Sequence, residues 1–391
     1  MSSSRIKNIE LALQITTGEL EWLRFLSPIS EHYIQQISQK DYHGKRVAYW
    51  GHLTRQTIVT FVAAFEKTGV ELALGACNVD STDDAAAAYA VSKGFAVYGW
   101  RGMSQQDYQE NLRLVRDFEA DVLCDMGGEL SLAYLDKTPP VKGALEATTS
   151  GLHRLDNVSV PFPIFNWNDI PLKALHNRFH VGDTVWPAFN TLTGMSLYGR
   201  KVLVIGCGPV GKGIAERARA MEAIVLVTDL DPVRMLEARH LGCETVSLEE
   251  GLGRADIIVT ATGFEGVLGG EQLRKVKPGA VLFNAGHSNR EIDIDWLYRQ
   301  PHKQLRPQIE LFEPGKTHLY LLGRGSLLNL SAGTGPYGLD QFDHYDAIML
   351  RGISWMLDGM PETIQPGLQR FPLQLEQEIA SLSLRISTGK G

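Results

Sequence analysis

The chain has 391 residues, 44% of them hydrophobic and 21% charged, with a formal net charge of −7 at pH 7. That composition is enough to bury two or three ordinary cores. The acidic balance and the lack of clustered Lys and Arg argue against nucleic acid as a partner, because phosphate binding depends on basic patches.

Read from the N-terminus, Met1-Ser2-Ser3-Ser4-Arg5 has no signal-peptide core, and apolar runs such as Ala223 to Val227 are only strand length. A cytoplasmic protein with no membrane partner is therefore expected. Arg46 to Trp50, Glu71 to Ala76, Ala96 to Tyr98 and Asp121 to Cys124 read as short buried strands. Helical stretches at Thr57 to Lys67, Asp84 to Lys93 and Gln105 to Phe118 separate them, a βαβ alternation that implies a parallel sheet. Ligands of such sheets bind beyond the carboxyl ends of the strands. Those ends carry Gly51-His52-Leu53-Thr54-Arg55-Gln56-Thr57, Cys77-Asn78-Val79-Asp80-Ser81-Thr82 and Cys124-Asp125-Met126-Gly127-Gly128-Glu129, polar clusters that suggest a substrate site. The four cysteines, Cys77, Cys124, Cys207 and Cys243, lack metal-ligand spacing and read as free thiols, so no metal is expected.

After Pro161-Phe162-Pro163, the segment Asn166-Trp167-Asn168-Asp169 leads to Lys173, and a helical run carries the chain to Gly199. Lys201 to Ile205 is a β-branched strand that enters the turn Gly206-Cys207-Gly208-Pro209-Val210-Gly211, followed by a helix-forming stretch, a second strand at Ile224 to Thr228 and an acid at Asp229. This is a dinucleotide fingerprint in its proper context; the bare alternative is a glycine turn of any βα unit. Gly206 permits the tight turn, Gly208 lets backbone N–H groups approach a pyrophosphate, and Gly211 lets helix and strand pack closely. Asp229 lies 18 residues past Gly211, where a carboxylate accepts from ribose hydroxyls and repels a 2′-phosphate, favouring NAD over NADP. The domain continues through Ile257 to Thr262 and Ala280 to Asn284, and Gln341 to Ser387 reads as helices broken near Pro361, Pro366 and Pro372.

Several segments together resemble the S-adenosylhomocysteine hydrolase family, from about Arg46 to Met349. They are His52-Leu53-Thr54-Arg55-Gln56-Thr57, Cys77 to Asp84, Thr148-Thr149-Ser150-Gly151-Leu152-His153, Asn166 to Asp169, Gly206 to Gly213, Asn284-Ala285-Gly286-His287 and Leu327 to Leu330. The resemblance implies a tightly held NAD that oxidises C3′ of an adenine nucleoside, loss of the acidified C4′ proton, elimination of the C5′ substituent, hydration and return of the hydride. Departures accompany the matches. Met126 stands where the family has a second aspartate, and Ala147 where it has a ribose-binding glutamate, which is expected to open space there. His176 takes an aspartate position after a one-residue deletion, and Thr334-Gly335-Pro336 lacks the family's histidine. The resemblance implies a homo-oligomer, since the family's members associate as tetramers; the family's basic, tyrosine-containing tail, which makes one inter-subunit contact, has no counterpart before Gly391, so a dimer or a tetramer is expected.

The resemblance implies roles for individual residues. His52 is a general acid/base on the 5′ side or a structural histidine, and His287 acts near the nicotinamide and leaving group or simply sits in a turn. Lys173 polarises or deprotonates the 3′-hydroxyl if desolvation and a neighbouring cationic His176 lower its pKa; otherwise it is a solvated helix lysine. Thr54 and Gln56 match an adenine edge, although Thr54 equally suits a helix cap. Asp125 either keeps one carboxylate at the reaction site or orders the Gly127-Gly128 turn. Ala147 and His176 complete the expected substrate set. Thr148, Thr149, Asn177, Gly206, Gly208, Val210, Gly211, Asp229, Thr262 and Asn329 form the expected cofactor set. The expected fold is α/β: a Rossmann NAD-binding domain at 181–336 plus a second doubly wound α/β substrate-binding domain at 1–180 and 337–391, with C-terminal helices. Three functions fit: a diverged nucleoside lyase such as a dehydratase, authentic hydrolysis of S-adenosylhomocysteine, or a regulatory pseudoenzyme that keeps NAD.

Overall fold

The computed structural model describes residues 4–138, 141–286, 290–332 and 338–389. The chain divides into two compact units, Met1–Lys173 with Leu339–Gly391, and Ala174–Gly338.

The first unit is built on strands β1 (Arg46–Gly51), β2 (Glu71–Ala76), β3 (Ala96–Tyr98), β4 (Val122–Asp125), β5 (Gly143–Glu146) and β6 (Pro163–Asn166), joined at one edge by the strand Gly367–Arg370. All are parallel, in the order (367–370)-β6-β5-β4-β1-β2-β3. After their first residues β1 and β2 are buried continuously, as expected for a sheet covered on both faces. The order reverses between β1 and β4, a topological switch point that opens a crevice at their carboxyl ends. Local signals start the helices: Thr54 caps Arg55–Phe65, Asp83 caps Asp84–Ser92 and Ser104 caps Gln105–Arg116, each typically worth about 1 kcal/mol. The C-terminal segment belongs here because Asp343 accepts from the backbone N–H groups of Ile29 and Ser30, at the start of the helix Pro28–Ile37, at 2.8 and 2.6 Å. The helix Asp343–Asp358, buried along most of its length, thereby joins the core around Trp50, Trp167 and Phe165.

In the second unit β7 (Lys201–Ile205), β8 (Ile224–Thr228), β9 (Glu244–Thr245), β10 (Ile257–Thr260), β11 (Ala280–Asn284), β12 (His302–Arg306), β13 (Ile309–Phe312) and β14 (Leu319–Leu322) form one sheet, ordered β12-β13-β14-β11-β10-β7-β8-β9. The parallel strands β14-β11-β10-β7-β8-β9 repeat the doubly wound order, with the switch point between β7 and β10, while β12 and β13 add an antiparallel edge. The exposed, charged face of β12, with Lys303 and Arg306, discourages further strand pairing. A π-helical turn, Asn177–Val181, belongs to this unit because the Arg178 Nε donates to Glu216 Oε2 at 2.8 Å on the helix Pro209–Ala220. Among the described residues no helix is long and apolar enough to cross a membrane.

Candidate active site

The switch point of the first sheet gathers the polar clusters read from the strand ends. β1 delivers His52, whose Nδ1 lies 2.8 Å from Ser81 Oγ, so two separate sequence motifs meet at one hydrogen bond. Tyr49 Oη donates to the His52 carbonyl at 3.0 Å. His52 is partly accessible yet densely surrounded, and burial, followed by the nearby Lys173 charge, lowers its pKa to about 4. It is a neutral imidazole at ordinary pH.

Lys173 stands on the short helix Pro171–His176, whose Leu172 N–H donates to Glu376 Oε1 at 3.0 Å. It is 6% exposed, and its Nζ lies over the rings of Tyr345 and Trp167, 4.8 and 5.6 Å from their centroids. Burial pushes its pKa down to about 7. The expected help from His176 is corrected: burial is the cause, and the His176 ring stacks on His180 at 4.7 Å, within the second unit.

Tyr345 was not anticipated. It projects from the helix Asp343–Asp358, and its hydroxyl donates to Met126 Sδ at 2.9 Å. Met126 directly follows β4 and is buried. No sequence signal marks Tyr345, because the helix that carries it is 219 residues from Met126 and reaches this site only through the tertiary fold.

Asp125 is fully buried; its Oδ2 accepts from Ser131 N at 2.7 Å, and its Oδ1 has no partner among the described residues. The Gly127-Gly128 turn is ordered not by Asp125 but by Glu146, its register partner on β5. Glu146 accepts from Gly127 N at 3.2 Å, Gly128 N at 2.9 Å, Thr148 N at 2.8 Å and Thr148 Oγ1 at 2.6 Å. Burial and then repulsion from Asp125 raise the Glu146 pKa; burial also raises that of Asp125. An acid that ends an otherwise apolar strand was the available sign of Glu146.

Two other expectations in this unit, for Gln56 and Ala147, are corrected, and Thr54 takes the capping role its position also suited. Gln56 is enclosed, 1% exposed, and its Nε2 donates to Ser27 Oγ on the side facing the N-terminal helices, which commits the amide elsewhere than a nucleobase edge. Thr54 is the N-cap, its Oγ1 accepting from Thr57 N at 3.4 Å. Ala147 is 4% exposed and packed in the core, so the loss of a carboxylate there leaves no open space. Thr148 caps the helix Thr149–Leu155, and Thr149 Oγ1 accepts from Asn168 Nδ2 at 3.1 Å.

At the switch point of the second sheet, Gly206 has φ +94°, and a Cβ on Gly211 would lie 1.8 Å from the Gly206 carbonyl oxygen, so neither position accommodates a side chain. A Cβ on Gly208 would meet only the tip of Arg234, at 3.9 Å, which leaves an open cradle. Gly208 begins the helix Pro209–Ala220 without a side-chain cap, presenting the first turn and Val210 to an anion. Asp229 follows β8, and its Oδ2 accepts from Cys207 N at 2.6 Å. These residues fit a dinucleotide. Asn177 opens the π-helical turn. Asn329 Nδ2 donates to Thr184 Oγ1 at 3.2 Å, and its Oδ1 is buried without a partner among the described residues. The Thr262 backbone N–H and hydroxyl both donate to Glu291 Oε2, at 3.0 and 2.8 Å, and Gly263 N donates to Glu291 Oε1 at 2.8 Å. Glu291, unmarked in the sequence reading, is thus the buried anchor of the loop after β10. His287 and Thr334-Gly335-Pro336 lie outside the described residues. Among the described residues no cluster of His, Cys, Asp and Glu could hold a metal.

The comparisons with known proteins agree with this geometry. The family model for S-adenosyl-L-homocysteine hydrolase matches residues 14–138, and that for the NAD binding domain of S-adenosyl-L-homocysteine hydrolase matches residues 177–335. An S-inosyl-L-homocysteine hydrolase of Methanothermobacter thermautotrophicus is 32% identical over 397 residues, covering 97% of this chain and 93% of that protein. The chain belongs to the S-adenosyl-L-homocysteine hydrolase family. Another S-inosyl-L-homocysteine hydrolase, from Methanococcus maripaludis, is 34% identical over 85% of this chain and 82% of its own. An adenosylhomocysteinase of Archaeoglobus fulgidus is 32% identical over 94% of this chain and 93% of its own. As in the rest of this hydrolase family, the second unit is an NAD-binding domain, and NAD is the cofactor.

Proposed function

We propose that the protein acts on purine ribonucleosides, activating the sugar at its 3′-hydroxyl and eliminating the substituent at C5′, with the alkene nucleoside as product. The observation that carries this reading is a pair of nitrogen bases in one crevice, both brought below their ordinary pKa by burial. Lys173 lies against two aromatic rings, and the His52 ring is fixed through Nδ1 by Ser81.

Gly206, Gly208, Val210 and Gly211 would receive the pyrophosphate of NAD and Asp229 its adenosine ribose, with Asn329 towards the nicotinamide. When bound, NAD would accept the hydride of C3′, so that the carbonyl left on the sugar acidifies the C4′–H, and would return that hydride once the C5′ substituent has left, with no net oxidation or reduction. Lys173 in its amine form takes the proton of the 3′-hydroxyl. His52 serves as the base for C4′–H. Met126 and Trp167 are buried core residues beside Tyr345 and Lys173, an apolar backing that disfavours water and supports release of the elimination product before hydration. Incubation of the NAD-loaded protein with adenosine, inosine and their 5′-substituted derivatives, followed by mass spectrometry, tests the proposal. Loss of the 5′ substituent is expected; nucleosides recovered unchanged would sink it and favour a regulatory role.

A second reading, reversible hydrolysis of a homocysteine nucleoside, is favoured by the names of the relatives at 32–34% identity. Release of homocysteine in a thiol assay distinguishes it.

A further inference from the structure

Glu376 is a buried acid that the steps above leave unused. It stands 6% exposed in the first turn of the helix Leu373–Thr388, and its Oε1 accepts from Leu172 N at 3.0 Å, across 204 residues of chain. Leu172 immediately precedes Lys173 in the helix Pro171–His176. Six residues are too few to hold a helix by their own hydrogen bonds, and the opening Pro171 has no N–H to give. The first turn of a helix also leaves N–H groups without partners inside it. Glu376 meets that need one residue before the amine-bearing position, so it fixes where the Lys173 Cα sits.

The frame that offers this oxygen is itself fixed. Arg351 Nε, on the helix Asp343–Asp358, donates to Glu378 Oε1 at 3.0 Å, and Tyr33 Oη donates to the same oxygen at 3.2 Å. His344 Nε2 lies 2.7 Å from Ser383 Oγ, and Phe371 N donates to the carbonyl of Asn166, the last residue of β6, at 3.1 Å. The two C-terminal helices therefore supply both the Tyr345 ring against the Lys173 amine and the acceptor for the backbone beside it.

We propose that Glu376 is a positioning residue of this site: by accepting the Leu172 N–H it holds the Lys173 amine against Tyr345 and Trp167, where the 3′-hydroxyl gives up its proton. This rests on the reading of Lys173 as that base and goes beyond it by naming what seats the base. Glu376 acts through the backbone alone. The role asks for an acceptor at the right distance and not for a charge, so glutamine serves and leucine does not. The titratable groups beside the amine are the Tyr345 phenol and His52, whose pKa the Lys173 charge lowers. Both are untouched by an exchange at Glu376.

The test compares wild type, Glu376→Leu and Glu376→Gln, each loaded with NAD. Single-turnover reduction of the nicotinamide by adenosine and inosine is followed against pH, nucleoside Kd is titrated, and urea unfolding is repeated across the same pH range. Wild type is expected to speed up with pH through about 7, as the Lys173 amine loses its proton. In Glu376→Leu, reduction near pH 7 should slow by about 10–100-fold with Kd held within about threefold. Its inflection should move up by about one unit or more, because water returns to the amine. Glu376→Gln should keep the wild-type inflection and a rate within about threefold of wild type. The unfolding arm needs no turnover: the gain in stability between about pH 7 and 10.5 should shrink in Glu376→Leu and persist in Glu376→Gln. A leucine variant with the wild-type inflection and pH dependence of stability, or equal losses in the two variants, would overturn the assignment. If Glu376→Leu fails to fold, Glu376→Asp, which draws the acceptor back by one methylene, is read in the same way. Absence of reduction in wild type, with the unfolding pattern as expected, would instead sink the reading of Lys173 as the base and leave Glu376 as what seats it.

Discussion

Replacing Lys173 by methionine separates the cost of its burial from its chemistry. A pKa lowered from 10.5 to about 7 corresponds to about 5 kcal/mol of preference for the neutral amine, at about 1.4 kcal/mol for each factor of ten. The sign follows from proton counts. Below about pH 7 the amine is protonated both folded and unfolded, and the folded protein bears the full cost of a buried charge. Between about 7 and 10.5 the unfolded chain binds a proton that the folded one lacks, so stability rises with pH across this window. Above about 10.5 both forms are neutral and the cost is gone. Methionine fills nearly the same volume without a charge. Lys173→Met is therefore expected to be more stable than wild type by up to about 5 kcal/mol near pH 6, with the advantage vanishing near pH 10.5. Urea unfolding followed by tryptophan fluorescence, which reports on Trp167 beside the amine, measures this. Catalysis should fall by about 10²–10⁴ throughout. A stability difference independent of pH, or a variant less stable than wild type at low pH, would refute the reasoning.

Asp229→Asn keeps the shape but removes the charge that suits a free 2′-hydroxyl; NAD binding, followed by fluorescence titration, should weaken about 10–100-fold, with discrimination against NADP reduced. Gly211→Ala drives a methyl into the Gly206 carbonyl, 1.8 Å from the ideal Cβ, and should cost about 1–3 kcal/mol or more, seen as a lower melting temperature and lost NAD binding. Glu291→Ala strands the Thr262 and Gly263 N–H groups and should cost about 1–3 kcal/mol for each group left buried without a partner, read from thermal melts.

Elements with strong local signals were legible before the fold was known. The β-branched strand at Lys201–Ile205 with its glycine turn, and the buried strands β1 to β4, appear within a residue or so of their expected places. The edge strand Gly367–Arg370 escaped notice because it is four residues long and pairs with a strand about 200 residues away, and the four-residue β5 and β6, opened by Gly143 and Pro163, were missed as well. Tertiary context decided their state. At the site, motif spacing singled out His52 and Lys173, which meet in one crevice. Gln56 misled because a side chain on a buried helix can turn to either side, and Ser27, unmarked in sequence, captured it. Glu291 was missed for a related reason, since a carboxylate that collects backbone N–H groups of a distant loop leaves no local pattern, whereas Glu146 left only its place at the end of an apolar strand.

The central claim is that a nicotinamide held in this chain accepts hydride from C3′ of a purine nucleoside. Mixing the NAD-loaded protein with substrate in a stopped-flow spectrometer and following the near-ultraviolet absorbance of reduced nicotinamide tests it directly. A transient rise that appears with nucleoside and is abolished by Lys173→Met is the predicted result. A flat trace with a nucleoside that is bound and turned over would contradict the account.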